Sequence, residues 1–141
     1  GGNRLSFFGQ NDVAEFGLMN TNIIDLWTTA GDRSWAYDST TFPMNTWHFV
    51  VATGDSSGTN IFVDGRKVVT GTGFSNLTSS AFPVTIGYGV FDGGWNYLNG
   101  LIDNVRIYDR ALDSAEIKSM YLAEAPKHGV AFAGSTDGFP F

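Results

Sequence analysis

The stretch Gly100 to Ile117, "GLIDNVRIYDRALDSAEI", holds an alternating apolar run and a helix start side by side. A strand over 97–108 places Leu101, Asp103, Val105 and Ile107 on one face, and Ile102, Asn104, Arg106 and Tyr108 on the other. Asp103 then lies on an apolar face. A carboxylate there is costly to bury unless it meets hydrogen-bond donors, a cation or the wet end of the strand. The second half of the stretch predicts a helix. Asp113 fits an N-cap, Glu116 three residues on completes a capping box, and Leu112 with Ile117 occupy the positions of a hydrophobic staple. Ile117, Met120 and Tyr121 form one apolar stripe, which is expected to plug one end of a sandwich.

Outward from this stretch, apolar and aromatic runs recur about every ten residues, separated by Gly, Asn, Asp and Ser, which is the rhythm of a sandwich or jelly roll. Strands are expected near 4–8, 13–19, 22–27, 34–38, 47–53, 60–64, 66–70, 82–88 and 97–108. In "NIFVDGRKVV" (60–69), Asp64-Gly65 supplies the positive φ angles of a two-residue hairpin turn. In "PMNTWHFVVATGD" (43–55), Trp47, Phe49 and Val51 alternate with His48, Val50 and Ala52, so both faces are largely apolar. That strand is expected to be central, with Trp47 in the core. His48 reads as a packed or hydrogen-bonded strand residue, since the other histidine, His128, is far along the chain.

The composition agrees with an all-β domain. The 141 residues suit one core; Gly numbers 18, aromatics make up 15% and charged residues only 16%. With 8 Lys and Arg against 14 Asp and Glu, the net charge of -6 offers no basic stripe, so nucleic acid is not an expected partner. No run approaches the roughly 18 apolar residues of a membrane span, and no signal peptide opens the sequence. The expectation is a soluble domain, excised from a longer secreted protein. The absence of Cys removes thiol catalysis and disulfides without locating the compartment.

In order, "WHFVVATGD", "IFVDGRKV", "VTIGYG" and "LNGLIDNVRIYDRALDSAEIKSMY" resemble the laminin-G-like, concanavalin A-like jelly-roll family, closely from Trp47 to Tyr121 and only in strand rhythm over 4–40. The resemblance implies a two-sheet antiparallel β-sandwich with one short C-terminal helix. It also implies an opening Phe-x-Gly-x-x-Asp strand that the start of this chain lacks. The tail "GVAFAGSTDGFPF" (129–141) carries Phe132, Gly134 and Asp137 at similar spacing. Either it completes the sheet of a single domain over 1–141, as a permuted first strand, or it begins a following repeat. The usual closeness of termini in a sandwich favours the former. The resemblance further implies that Asp103 helps hold a structural calcium together with backbone carbonyls, a hard cation being suited to oxygen ligands. The alternatives are an Arg partner or backbone N–H donors.

Family members include sugar-binding modules, adhesion domains and accessory domains of hydrolases, so the ligand must be sought in the residues themselves. Sugars stack their C–H faces on Trp and Tyr while short polar side chains take the hydroxyls. "FDGGWNYLNG" (91–100) offers Asp92, Trp95, Asn96 and Tyr97 in a Gly-rich loop, with Trp95 first among them. "RSWAYDS" (33–39) sets Trp35 and Tyr37 on one strand face with Arg33, and "IIDLW" (23–27) does the same with Asp25 and Trp27. An enzyme is a weaker reading. Glycoside hydrolysis ordinarily needs two facing carboxylates. The Glu-x-Asp-x-x-Glu strand of some catalytic relatives is missing, and the only glutamates are Glu15, Glu116 and Glu124. The functional expectation is a noncatalytic carbohydrate-binding module that attaches a secreted or surface protein to a polysaccharide or oligosaccharide. The alternative is a protein-interaction or structural domain of an adhesin or virion protein; a glycan hydrolase ranks below both. The resemblance alone places it outside the cell, on a cell surface or on a virion.

Overall fold

The computed structural model describes residues 4–20, 22–73, 79–91 and 94–130. Its strands are β1 (Arg4–Gln10), β2 (Ala14–Met19), β3 (Ile23–Thr28), β4 (Gly31–Ala36), β5 (Val50–Asp55), β6 (Gly58–Val63), β7 (Arg66–Gly71), β8 (Val84–Ile86), β9 (Tyr88–Phe91) and β10 (Gly94–Tyr97). Helix α1 (Ser114–Glu124) and a 3-10 turn over Ala125–His128 follow. The strands form an antiparallel five-stranded sheet in the order β4-β3-β2-β1-β8, an antiparallel three-stranded sheet β5-β6-β7, and the separate hairpin β9-β10. This is the expected antiparallel β-sandwich jelly roll with a short C-terminal helix.

Strand alternation explains how the layers meet. Phe16 and Leu18 of β2 with Ile24 and Leu26 of β3 face Ile61 and Val63 of β6, and Tyr37 and Phe42 join the same core. Phe62, between Ile61 and Val63, necessarily points to the other side of its sheet. There it meets Leu112 and Ile117, flanked by Phe49, Val51 and Met120. The three-stranded sheet is therefore buried on both faces, which accounts for the two apolar faces of 47–53. The position differs from expectation: among the described residues β5 is an edge strand of its sheet. The helix also differs in place. It covers the outer face of the three-stranded sheet, because Phe62 and Val51 need a cover there, and does not plug an end of the sandwich. Trp47 belongs to neither core; it is half-buried with its ring 4.5 Å from the His128 ring.

The local signals take the form their chemistry requires. Asp64 and Gly65 turn the β6-β7 hairpin with φ of 50° and 76°. A Cβ on Gly65 would stand 2.9 Å from Tyr121 Cδ1, so the turn also leaves room for the helix. The Asp64 carboxylate accepts from the Phe49 N–H at 2.9 Å and bonds His48 Nδ1 at 2.8 Å, which pins the entrance to β5. Asp113 caps α1 by accepting from the Glu116 N–H at 2.8 Å, and Glu116 returns the bond by accepting from the Asp113 N–H at 3.0 Å. Glu116 also accepts from Nη1 and Nη2 of Arg110, and its carboxyl pKa falls to about 2 through those bonds first and the Asp113 N–H second.

The strand expected over 97–108 is the principal correction. Among the described residues, 101–108 pairs with no strand. Asn104 takes the left-handed conformation (φ 54°), which breaks the alternation on which the face assignment rested. Asp103 is exposed, not buried.

Candidate functional site

The β9-β10 hairpin stands on a base of main-chain bonds. Gly87 (φ 74°) ends β8 and redirects the chain; its N–H donates to the Phe7 carbonyl at 3.0 Å and its carbonyl accepts from the Leu98 N–H at 2.8 Å. Above this base Tyr88 pairs with Tyr97, Gly89 with Asn96, Val90 with Trp95, and Phe91 with Gly94. Cross-strand pairing brings the two tyrosine rings together, with centroids 5.4 Å apart and planes inclined by only 17°. Tyr97 is 70% exposed, Tyr88 and Asn96 half-buried. The exposed Tyr97 ring offers a surface on which a sugar C–H face can stack, while Asn96, its neighbour on β10, points to the other side of the hairpin. Trp95 is placed in β10 by its backbone; its side chain and the whole of Asp92 lie outside the described residues. Tyr88 escaped the sequence reading, although "YGVFDGGWNY" carried the signal: a hairpin centred on Asp92-Gly93 sets Tyr88 opposite Tyr97.

A second polar constellation lies on the five-stranded sheet, on the face turned away from the core. Ser6, Gly17, Asp25 and Ser34 stand opposite one another across β1 to β4, and Trp27 stands between Glu15 and Asp32. A Cβ on Gly17 would collide with the Leu5 carbonyl oxygen, beside the β1 irregularity between Ser6 and Phe8. Arg4 is the hub. Its Nη1 reaches Glu15 Oε2 at 3.2 Å, and its Nη2 reaches Asp25 Oδ2 at 3.1 Å and Asp32 Oδ1 at 3.0 Å. Ser34 Oγ donates to Asp25 Oδ1 at 2.5 Å. The Arg4 contact to Asp25 is an ion pair without hydrogen-bond alignment, so buried Oδ2 accepts no hydrogen bond among the described residues.

Asp25 is 1% exposed and Glu15 is 7% exposed. Burial is the main influence on each carboxyl and raises it. For Glu15, the Asp12 N–H and Arg4 oppose the rise; for Asp25, the Ser34 hydroxyl and Arg4 do so, while Asp32 adds to it. Two clefts border this face. One is lined by Ser6, Glu15, Phe82, Pro83, Thr85 and Gly89 among others, the second by Arg4, Glu15 and Asp25 among others, and each has room for little more than a water molecule. Two buried carboxylates sharing one guanidinium, with no opening for a sugar ring, form a structural ion cluster. The sequence reading missed Arg4, whose role depends on a register across four strands.

The other expected residues divide by face. Trp27 is half-buried on the Arg4 face. Trp35 and Tyr37 turn inward: Tyr37 is 8% exposed within the core and Trp35 packs against it, their rings 6.0 Å apart. Their shared face was legible, but Trp35 stands opposite the fully buried Ile24, so it is the core face and not an open platform. Arg33, on the same side, donates from Nη2 to the Thr72 carbonyl and ties the two sheets.

Asp103 has a plain explanation. Its side chain is 55% exposed, Oδ1 accepts from the Asn104 N–H at 2.7 Å, and Oδ2 lies 3.7 Å from His128 Nε2. Water and these neighbours offset its charge. Among the described residues no group of three His, Asp or Glu side chains is arranged to hold an ion, and the side chain nearest Asp103 is an imidazole rather than an oxygen donor. Among the described residues, no helix is long and apolar enough to cross a membrane.

Comparison with known proteins bears on the fold. Among solved structures, residues 221–444 of an S-layer domain-containing protein from Clostridium thermocellum ATCC 27405 are similar at 21% identity and a TM-score of 0.44. The match covers 79% of this chain and 57% of that one, so this chain spans less than two-thirds of that structure's length. Among curated proteins none matches. A family model, Laminin G 3, described as the concanavalin A-like lectin/glucanases superfamily, matches residues 1–118. With most of its length matched and the sandwich in place, the chain belongs to the concanavalin A-like lectin/glucanases superfamily as a laminin-G-like jelly-roll domain.

Proposed function

We propose that this domain is a noncatalytic carbohydrate-binding module, which attaches a secreted or cell-surface protein to a polysaccharide or oligosaccharide. The observation that carries the reading is the Tyr88–Tyr97 stack, 5.4 Å between centroids, with Tyr97 70% exposed on a hairpin anchored to β1. Tyr97 supplies the stacking face. A rigid scaffold displaying an aromatic loop spends little entropy on binding. The ion cluster around Arg4 serves the fold, since Glu15 and Asp25 are buried and already engaged. A glycan array probed with the full chain tests the proposal. Binding to a related set of glycans, reduced in Tyr97→Ala, supports it; no binding to any glycan at high micromolar protein overturns it.

A further inference from the structure

Residues 101–108 form a segment that lacks a partner among the described residues. It makes no ladder there, yet it exposes Leu101 at 80%, Val105 at 43% and Ile107 at 73%. Single exposed apolar residues are ordinary, but four on one eight-residue segment, Tyr108 being the fourth, with no ladder formed among the described residues, make an edge that a strand can cover. The segment is nonetheless held in place. Ile102 Cδ1 comes within 3.6 Å of where a Cβ on Gly87 would lie, Asn104 Nδ2 donates to Glu124 Oε2 at 3.3 Å, and Arg106 Nη2 pairs with Glu124 Oε1 at 2.7 Å. Asn104 is left-handed (φ 54°), a conformation that bulges at sheet edges use.

We infer that 101–108 is a strand-docking edge and that its occupant is the chain's own C-terminal segment, residues 131–141. The path of the chain favours this occupant. Gly129 (φ 74°) reverses direction after the 3-10 turn, and His128 lies beside Asp103, so the described chain ends next to the segment it would cover. Eleven residues extended span about 36 Å, and the eight-residue edge about 26 Å, so the tail reaches along all of it. Its sequence, "AFAGSTDGFPF", carries Phe132, Phe139 and Phe141 and a single charge, Asp137, and therefore has apolar surface to bury against Leu101 and Ile107. The edge has nothing to do with the tyrosine hairpin, and the inference stands whether or not the domain binds glycans.

Hydrogen exchange read by mass spectrometry on the full chain tests the assignment. Amides of 101–108 should exchange on the order of a hundredfold or more slower than free peptide, and this protection should fall in a chain ending at Val130 and in the full-length variant Phe132→Asp. A synthetic peptide of residues 129–141 should restore protection to the shortened chain. Free exchange of 101–108 in the full chain overturns the inference, as does protection unchanged in both variants. Protection that depends on protein concentration, in a chain that elutes as a dimer, also overturns it, because the occupant is then a second copy. If the shortened chain fails to fold, the exchange of the full chain and of Phe132→Asp still decides.

Discussion

Replacing Arg4 by methionine removes a cation shared by Glu15, Asp25 and Asp32 while keeping most of the apolar stem. In the native domain, Arg4 is 16% exposed in its side chain, Glu15 8% and Asp25 2%, so two of its three partners are nearly dry. Stripping one partner from a buried pair typically costs about 3 to 5 kcal/mol, because it leaves a charge without compensation. The lower end applies here, since Asp25 keeps the Ser34 hydroxyl and Glu15 keeps the Asp12 N–H. A loss of roughly 3 kcal/mol lowers Tm by about 10 °C for a domain of this size. The pH dependence identifies the cause. Both carboxyls are raised in the folded state above their ordinary 4.5 and 3.8, so the native state holds these protons more tightly than the unfolded chain does. Ionising them costs stability as pH rises through the raised values, and that cost vanishes below the unfolded ones. Without Arg4 the carboxyls rise further. The deficit of Arg4→Met should thus be largest at neutral pH and shrink towards pH 4. Urea titrations of both proteins at several pH values measure it. A deficit under about 1 kcal/mol at neutral pH, or one that does not change with pH, would refute the assignment of Arg4 as hub.

Three further outcomes follow from the same geometry. Asp113→Ala should lose about 1 kcal/mol, by chemical denaturation, because the Glu116 N–H loses its acceptor; an unchanged midpoint would contradict the capping role. Burial pulls the His48 imidazole down, but its bonds to Asp64 and the Pro43 carbonyl and the Asp64 charge outweigh burial and leave it raised above 6.5. Its stabilisation is complete below the unfolded value and lost as pH climbs through the folded one; His48→Gln should remove that decline from the Tm-versus-pH curve, and a retained slope would assign it elsewhere. If Asp103 ligates calcium, as the family resemblance implies, the wild type should melt higher with calcium than with chelator and Asp103→Asn should lose that rise; equal melting of the wild type in both would remove the role.

What the sequence made legible was mostly local. Asp64-Gly65 and Asp113 to Glu116 declare their turn and cap within four residues, because backbone geometry and short-range hydrogen bonds decide both. The two apolar faces of 47–53 likewise pointed to a sheet covered on two sides, although β5 is an edge strand of that sheet among the described residues. What stayed hidden depends on partners distant in the chain or on one backbone angle. Trp35 and Tyr37 share a face on any reading, but only pairing of Trp35 with Ile24 shows that the face is the core. Arg4 meets Asp32 across twenty-eight positions, which no spacing rule anticipates. Asn104 looks like any strand residue in sequence, yet it takes a left-handed φ, and Asp103 beside it is exposed.

The stacked tyrosines of the hairpin are the centre of the functional account, and titration calorimetry of Tyr97→Ala tests them most directly. The ligand is whichever glycan the array identifies, with Trp27→Ala as the comparison on the Arg4 face. Stacking on an exposed ring contributes on the order of 1 to 2 kcal/mol, by analogy with aromatic pairs. Tyr97→Ala should therefore weaken binding about tenfold or more, with Tm unchanged, while Trp27→Ala leaves the affinity as it was. Wild-type affinity in Tyr97→Ala together with a loss in Trp27→Ala would contradict the account, and would move the glycan from the hairpin to the sheet.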